Sequence, residues 1–127
     1  MGVLVLPPDA HRTLNALQRR SAVVLQKSLR EGFALTIPEA LWKRRAVVTS
    51  AVGGIPLQVL HDRTGVLVRS IGGCAAQVVR LLRDPDPRRR LGTAGREHGR
   101  ANFLHTRELR DRLPIFLAAA RGVGRSA

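Results

Sequence analysis

Apolar residues in this chain fall first into short unbroken runs and later into helical spacing. Residues 3–6 read Val-Leu-Val-Leu and stop at Pro7 and Pro8; residues 22–26 read Ala-Val-Val-Leu-Gln, residues 46–50 Ala-Val-Val-Thr-Ser, and residues 66–68 Val-Leu-Val. Runs this short and this continuous suit strands covered on both faces, as in a parallel sheet. Between them the pattern turns helical. Thr13 can cap a helix over residues 13–20 with Leu14 and Leu17 facing inward, and Ile37, Ala40 and Leu41 form a second inward stripe. Thr36-Ile37-Pro38-Glu39 has the form of a capping box, a hydroxyl followed three residues later by a carboxylate, and Pro38 is tolerated in a first helical turn. Val52-Gly53-Gly54-Ile55-Pro56 reads as a glycine loop opening a short helix, and residues 62–65 as a turn.

After Gly72 the spacing of Ala75, Val78, Val79, Leu81 and Leu82 predicts a helix buried on one face and stopped by Asp84-Pro85-Asp86-Pro87. Further helices are expected over about residues 88–101 and 106–120, the latter kinked at Pro114, with residues 122–127 a frayed tail. Strand–helix alternation of this kind implies an α/β chain: a partial doubly wound, Rossmann-like parallel sheet of about four strands, helices on both faces, and a helical C-terminus.

Composition narrows the picture in three ways. With 127 residues, of which 44% are hydrophobic and few are aromatic, a single core of Leu, Val, Ile and Ala is expected. The formal charge of +13, carried almost wholly by arginines spread along the chain, reads as a solvated basic surface. One alternative is a non-catalytic nucleic-acid binder, but aromatics for base stacking are not interleaved with the basic residues; another is an interaction module that completes a partner's sheet. Cys74 is the only cysteine, which excludes an internal disulfide and a multi-cysteine metal site. The apolar run near the start is too short to span a membrane, so a cytoplasmic protein is expected.

The chemistry concentrates in residues 27–45, which read as strand end, glycine turn and helix start. Glu31 and Glu39 stand eight positions apart, one in the turn and the other in the first helical turn. Open α/β sheets bind ligands in the crevice at the carboxyl ends of their strands, and a helix N-terminus suits a phosphate. A nucleotide-sugar site fits this arrangement. Glu39 has a purely structural alternative as the capping-box carboxylate. Phe33 reads as a packing residue, Trp42 as core or domain-interface packing, and His11, His98 and His105 as solvent-facing. No P-loop, His-Glu-x-x-His or Gly-x-Ser-x-Gly motif is present.

The wording of this stretch resembles a known family. Asn15-Ala16-Leu17-Gln18-Arg19, Gln26-Lys27-Ser28, Arg30-Glu31-Gly32-Phe33 and Glu39-Ala40-Leu41-Trp42-Lys43 together look like the carboxyl-terminal domain of retaining GT-B glycosyltransferases of family 4. The resemblance is to the trehalose synthase and trehalose phosphorylase branch, with the Glu-x7-Glu signature at Glu31 and Glu39. It implies a hexosyltransferase that moves glucose from NDP-glucose, with no metal and no resident cofactor. Glu31 would hold donor-sugar hydroxyls, while Gly32, Phe33, Ala34 and Leu35 would present backbone groups to sugar and diphosphate. Thr36 would lie at the phosphate-facing helix start, Glu39 would bind the ribose, and Gly53 and Gly54 would form a pocket loop.

Three positions depart from the family pattern. Ala34 stands where glycine is usual, Arg44-Arg45-Ala46 replaces a Gly-x-Pro, and Leu41 replaces methionine. The family also places an acceptor domain and a diphosphate-binding Arg and Lys before the matching region. The expectation is an incomplete donor domain over residues 1–121, a truncated or split gene product inactive alone, with no certain catalytic residue of its own. A second chain carrying the missing half, or self-association through an exposed sheet edge, would be its partner.

Overall fold

The computed structural model describes residues 2–104, 110–115 and 117–118. Its centre is β2 (Ala46–Ser50), all five residues of which are buried. β1 (Val23–Gln26) pairs with one side of β2 and β3 (Val66–Val68) with the other, both parallel, in the order β1-β2-β3. Alternate residues of β2 feed opposite faces, as strand geometry requires. Val47 joins Val24, Ile37, Leu41, Ile55 and Val59 on the face covered by α2 (Thr36–Trp42) and α3 (Ile55–Gln58). Ala46 and Val48 join Val66, Cys74, Leu81 and Leu91 on the face covered by α4 (Ile71–Arg83) and α5 (Pro85–Asn102). Helices therefore cover both faces, the Rossmann-like arrangement expected.

Residues 3–6 do not form the fourth strand. Val3, Leu4 and Val5 are exposed and pair with nothing in the sheet, which has three strands among the described residues. Strand preference is mostly a preference for a half-buried pleated surface, and this run pairs with neither edge of the sheet.

α1 (His11–Arg20) starts before Thr13, so Thr13 lies inside the helix and caps nothing. Its inward residue is Gln18, while Leu14 and Leu17 are exposed. The Thr36–Glu39 capping box does not form. The Ile37 N–H donates to the Ala34 carbonyl (3.1 Å) and the Glu39 N–H to that of Leu35 (3.3 Å), so the helical turn begins one residue earlier with Leu35 at the cap. Thr36 then falls inside the helix, where its hydroxyl cannot cap.

α4 begins at Ile71, one residue before the expected glycine, because the Ser70 hydroxyl accepts from the Gly73 N–H (3.0 Å). Its buried side is Cys74, Val78 and Leu81; Ala75, Val79 and Leu82 are exposed. The Asp84-Pro85-Asp86-Pro87 stretch ends α4 and also starts α5. Asp84 accepts from the Asp86 N–H (3.0 Å), and Pro85 occupies a position where no helical N–H is required. Helix is present at residues 110–115 and 117–118, Pro114 included. The expected ends of that helix, its surroundings at His105, and residues 122–127 lie outside the described residues.

α2 ends in a Schellman motif. The Arg45 N–H donates to the Ala40 carbonyl (3.0 Å) and the Arg44 N–H to that of Leu41 (3.0 Å), with Arg44 left-handed at φ 58°. The left-handed turn thus survives the replacement of the family's glycine. α5 packs against this corner through Gly92 and Gly95. A Cβ on Gly92 would lie 2.2 Å from the Arg44 carbonyl oxygen, and one on Gly95 2.7 Å from Leu41 Cδ2. Trp42 belongs to neither core. It is half-exposed, with the Arg96 guanidinium 4.6 Å above its ring and an Arg96 Nη1 hydrogen bond to its carbonyl (3.2 Å).

Candidate donor-binding site

β1 and β2 end side by side, and the loops that leave them meet. The Thr49 hydroxyl donates to the Gln26 carbonyl (2.8 Å), which ties the two strand ends together. From there a short relay reaches the first carboxylate. Gln26 Nε2 donates to Ser28 Oγ (2.8 Å), and Ser28 Oγ to Glu31 Oε2 (3.4 Å). Glu31 is half-buried at the carboxyl end of the sheet, where a parallel α/β fold leaves its crevice.

The backbone at Glu31 and Gly32 rests directly on Gly53 and Gly54. The Gly54 N–H donates to the Glu31 carbonyl (3.0 Å). Gly53 has φ +55°, and a Cβ there would lie 1.8 Å from the Glu31 oxygen; one on Gly54 would lie 2.0 Å from the Gly32 oxygen. Only glycine permits this approach at Gly53, on conformation and on space together. The Gly-Gly pair and the Glu31 loop, separate in sequence, form one layer.

A second fastening was not legible in the sequence. Gln58, buried in α3, bonds both backbone groups of Ala34, accepting from its N–H (3.0 Å) and donating to its carbonyl (3.2 Å). Ala34 does not have a positive φ, so its methyl sits in the core without backbone strain. With its N–H held by Gln58, Ala34 supports the loop from behind. Gly32, Phe33 and Leu35 are exposed and Thr36 is half-buried. Phe33 packs edge-on to Phe103 with centroids 6.0 Å apart, a packing role as expected.

Glu39 lies on the exposed side of α2 and accepts from Gln18 Nε2 (3.2 Å). The other end of the Gln18 amide accepts from Lys43 Nζ. Gln18 is itself buried, so α1 holds Glu39 of α2 and Lys43 just past its end through one side chain. The only cue to Gln18 or Gln58 in the sequence is a polar residue at an otherwise inward register.

A carboxylate at a strand-end loop, as at Glu31, can accept hydrogen bonds from vicinal hydroxyls, and exposed backbone N–H groups beside it can donate to an anion. Among the described residues no group of three His, Cys, Asp or Glu could hold a metal ion, and no helix is long and apolar enough to cross a membrane.

Comparison with known proteins gives the geometry a family. Residues 2–98 match the family described as glycosyl transferases group 1. The trehalose synthase of Rubrobacter xylanophilus is 52% identical over 103 residues, which cover 81% of this chain and 24% of that protein. The trehalose synthase of Pyrococcus horikoshii is 42% identical over 104 residues, covering 82% of this chain and 25% of that protein. A sucrose-phosphate synthase from Thermosynechococcus elongatus superposes with a TM-score of 0.77 at 32% identity, over 87% of this chain and 29% of that one. The chain thus spans about a quarter of the length of the curated relatives it matches. On the family match, the parallel sheet and the shared architecture, the chain belongs to the glycosyl transferases group 1 family and forms part of a GT-B-type domain related to trehalose synthases.

Proposed function

We propose that this chain supplies the donor-binding part of a retaining glucosyltransferase of trehalose-synthase type, which passes glucose from NDP-glucose to glucose. The observation that carries the reading is the seating of Glu31 and Gly32 on Gly53 and Gly54, which holds a carboxylate and exposed backbone at the carboxyl ends of two adjacent parallel strands. In this reading Glu31 accepts from donor-sugar hydroxyls and Glu39 from the ribose hydroxyls. Backbone at Gly32, Phe33 and Leu35, with Thr36 at the helix start, faces the sugar and diphosphate. Backbone N–H groups aimed at the departing diphosphate stabilise its growing charge without a metal. Ala34 acts indirectly, through Gln58, by setting the loop's path.

The acceptor site and the remaining diphosphate contacts belong to the rest of a GT-B enzyme, which docks against these residues. β1 supports this part of the reading. It is an edge strand whose Leu25 is 50% exposed, whereas parallel sheets normally cover both faces of every strand. The same edge is suited to self-association.

Calorimetric titration of the purified, monodisperse chain with UDP, ADP and GDP tests the donor role. Saturable binding of one of them, weakened by Glu39→Ala, is expected. A folded chain that binds none of the three would refute the donor role and leave only the family relationship.

A further inference from the structure

The opposite end of the sheet carries a second concavity, unrelated to the donor crevice. Ala22, Arg44, Arg45, Arg88, Arg89 and Thr93 line it. Ala22, Arg44 and Arg45 lie at the amino ends of β1 and β2 and Arg88, Arg89 and Thr93 on α5, so a strand of five residues puts the cavity roughly 15 Å from the carboxyl ends of the strands. Four guanidiniums and one hydroxyl face it, and no carboxylate lines it.

Two of the arginines are held in place by backbone. Arg45 donates from Nε to the Lys43 carbonyl (3.1 Å) and from Nη1 to that of Ser21 (3.2 Å). Arg88 donates from Nη1 to the carbonyls of Leu81 (2.9 Å) and Leu82 (3.4 Å), which closes the end of α4. Each keeps an Nη2 group without an acceptor among the described residues. Arg89 reaches only the exposed Asp86 carboxylate at 3.7 Å, a weak surface pair. Arg44 has no side-chain partner among the described residues, and its backbone is held left-handed by the Schellman motif against Gly92.

Like charges gathered in one concavity repel unless an anion lies among them. Guanidiniums offer paired N–H donors that match two oxygens of a phosphate. We propose that Arg44, Arg45, Arg88 and Arg89, with the Thr93 hydroxyl, form a binding site for a small phosphate-bearing anion on the amino-end face of the sheet. Arg45 and Arg88 are the preorganised half of the site; Arg44 and Arg89 close over the ligand from the exposed side.

Arg44→Gly separates this role from folding. Glycine accepts the left-handed backbone more readily than arginine, so the variant is expected to melt at a higher temperature than the parent without ligand. Its affinity for inorganic pyrophosphate should nevertheless fall about tenfold, the loss expected for one charge-assisted contact. Arg89→Gln, at an exposed position, should weaken binding by a similar factor. The experiment is calorimetric titration of the whole chain and both variants with pyrophosphate at low and moderate salt. One saturable site, weakened in both variants, supports the proposal. Binding unchanged in both, or a diffuse association without a defined stoichiometry, overturns it. Pyrophosphate that fails to compete with a DNA duplex bound at these arginines would also overturn it, in favour of a phosphate-backbone surface.

Discussion

The carboxamide of Gln58 replaces a strand partner for Ala34: its oxygen takes the Ala34 N–H at 3.0 Å and its nitrogen gives a hydrogen bond to the Ala34 carbonyl at 3.2 Å. All of these atoms are buried, so each bond is strong and each vacancy would be expensive. Gln58→Ala leaves two backbone groups without partners and opens a void beside Val59. A loss of about 2–4 kcal/mol is expected in urea unfolding, from two unsatisfied groups at ~1–3 kcal/mol each with partial relief by water. Gln58→Glu replaces the donor with an oxygen facing the Ala34 carbonyl and should be little better. A loss below about 0.5 kcal/mol for Gln58→Ala would contradict the clamp.

Gly53 and Gly72 make a matched pair for testing the pocket layer. A Cβ on Gly53 meets the Glu31 oxygen at 1.8 Å at a positive φ, whereas one on exposed Gly72 in α4 meets nothing within 4 Å. Gly53→Ala should therefore push residues 31–32 outward, lower the melting temperature and abolish nucleotide binding. Gly72→Ala should stabilise by about 0.5–1 kcal/mol, the gain of alanine over glycine within a helix. Thermal melts of both variants, read beside nucleotide titration, check the contrast. Equal behaviour of the two would mean that the close approach at Gly53 is not limiting.

Arg44 stands at φ 58° where an L-residue is disfavoured by roughly 1–2 kcal/mol relative to right-handed backbone. Replacing it with glycine removes that cost but adds freedom to the unfolded chain, worth about 0.4–1 kcal/mol in the other direction. A net gain of about 0.5–1 kcal/mol is expected for Arg44→Gly in chemical denaturation, the difference between those two terms. Arg44→Val should lose stability, since a β-branched side chain tolerates this region worst. A destabilised glycine variant would show that the arginine side chain contributes more than its backbone costs.

These positions also mark what could be read from the chain and what could not. Val47, Val48, Val66 and Val68 are unbroken apolar neighbours, and they became the covered strands that such runs predict. The Gly53-Gly54 loop was legible from its place directly after a strand and before Pro56; adjacent glycines alone are a weak signal, since Gly72-Gly73 lie inside α4. Residues 3–6 carry the same apolar signal but stay exposed and pair with neither sheet edge, so local pattern overstated the sheet. At Arg44 the missing glycine suggested a lost cap, yet the hydrogen bonds of the Schellman motif and the packing of Gly92 hold the turn regardless. Gln18 and Gln58 drew no structural reading for a different reason: a glutamine in a periodic pattern carries no burial signal of its own, and only the partner's position in space turns it into a buried bridge. Among the site residues, Glu31, Gly53 and Gly54 were brought together, while Glu39 was joined to Gln18 and not to a helix cap.

Gln18 gives the last and sharpest test, because its amide connects Glu39 and Lys43 through opposite ends. Gln18→Leu keeps the volume and the burial but releases both groups to water. Each is solvent-accessible, so the stability cost should be modest, about 1 kcal/mol. Its effect on binding should be larger in proportion. If Glu39 binds ribose hydroxyls as proposed, releasing its rotamer should raise the Kd for a nucleotide three- to tenfold, about the energy of one such hydrogen bond. The double variant Gln18→Leu with Glu39→Ala decides the cause. If Gln18 acts by orienting Glu39, its substitution should add almost nothing once Glu39 is gone. A full second loss in the double variant would show that Gln18 affects the site by another route, through Lys43 or through the packing of α1 on α2.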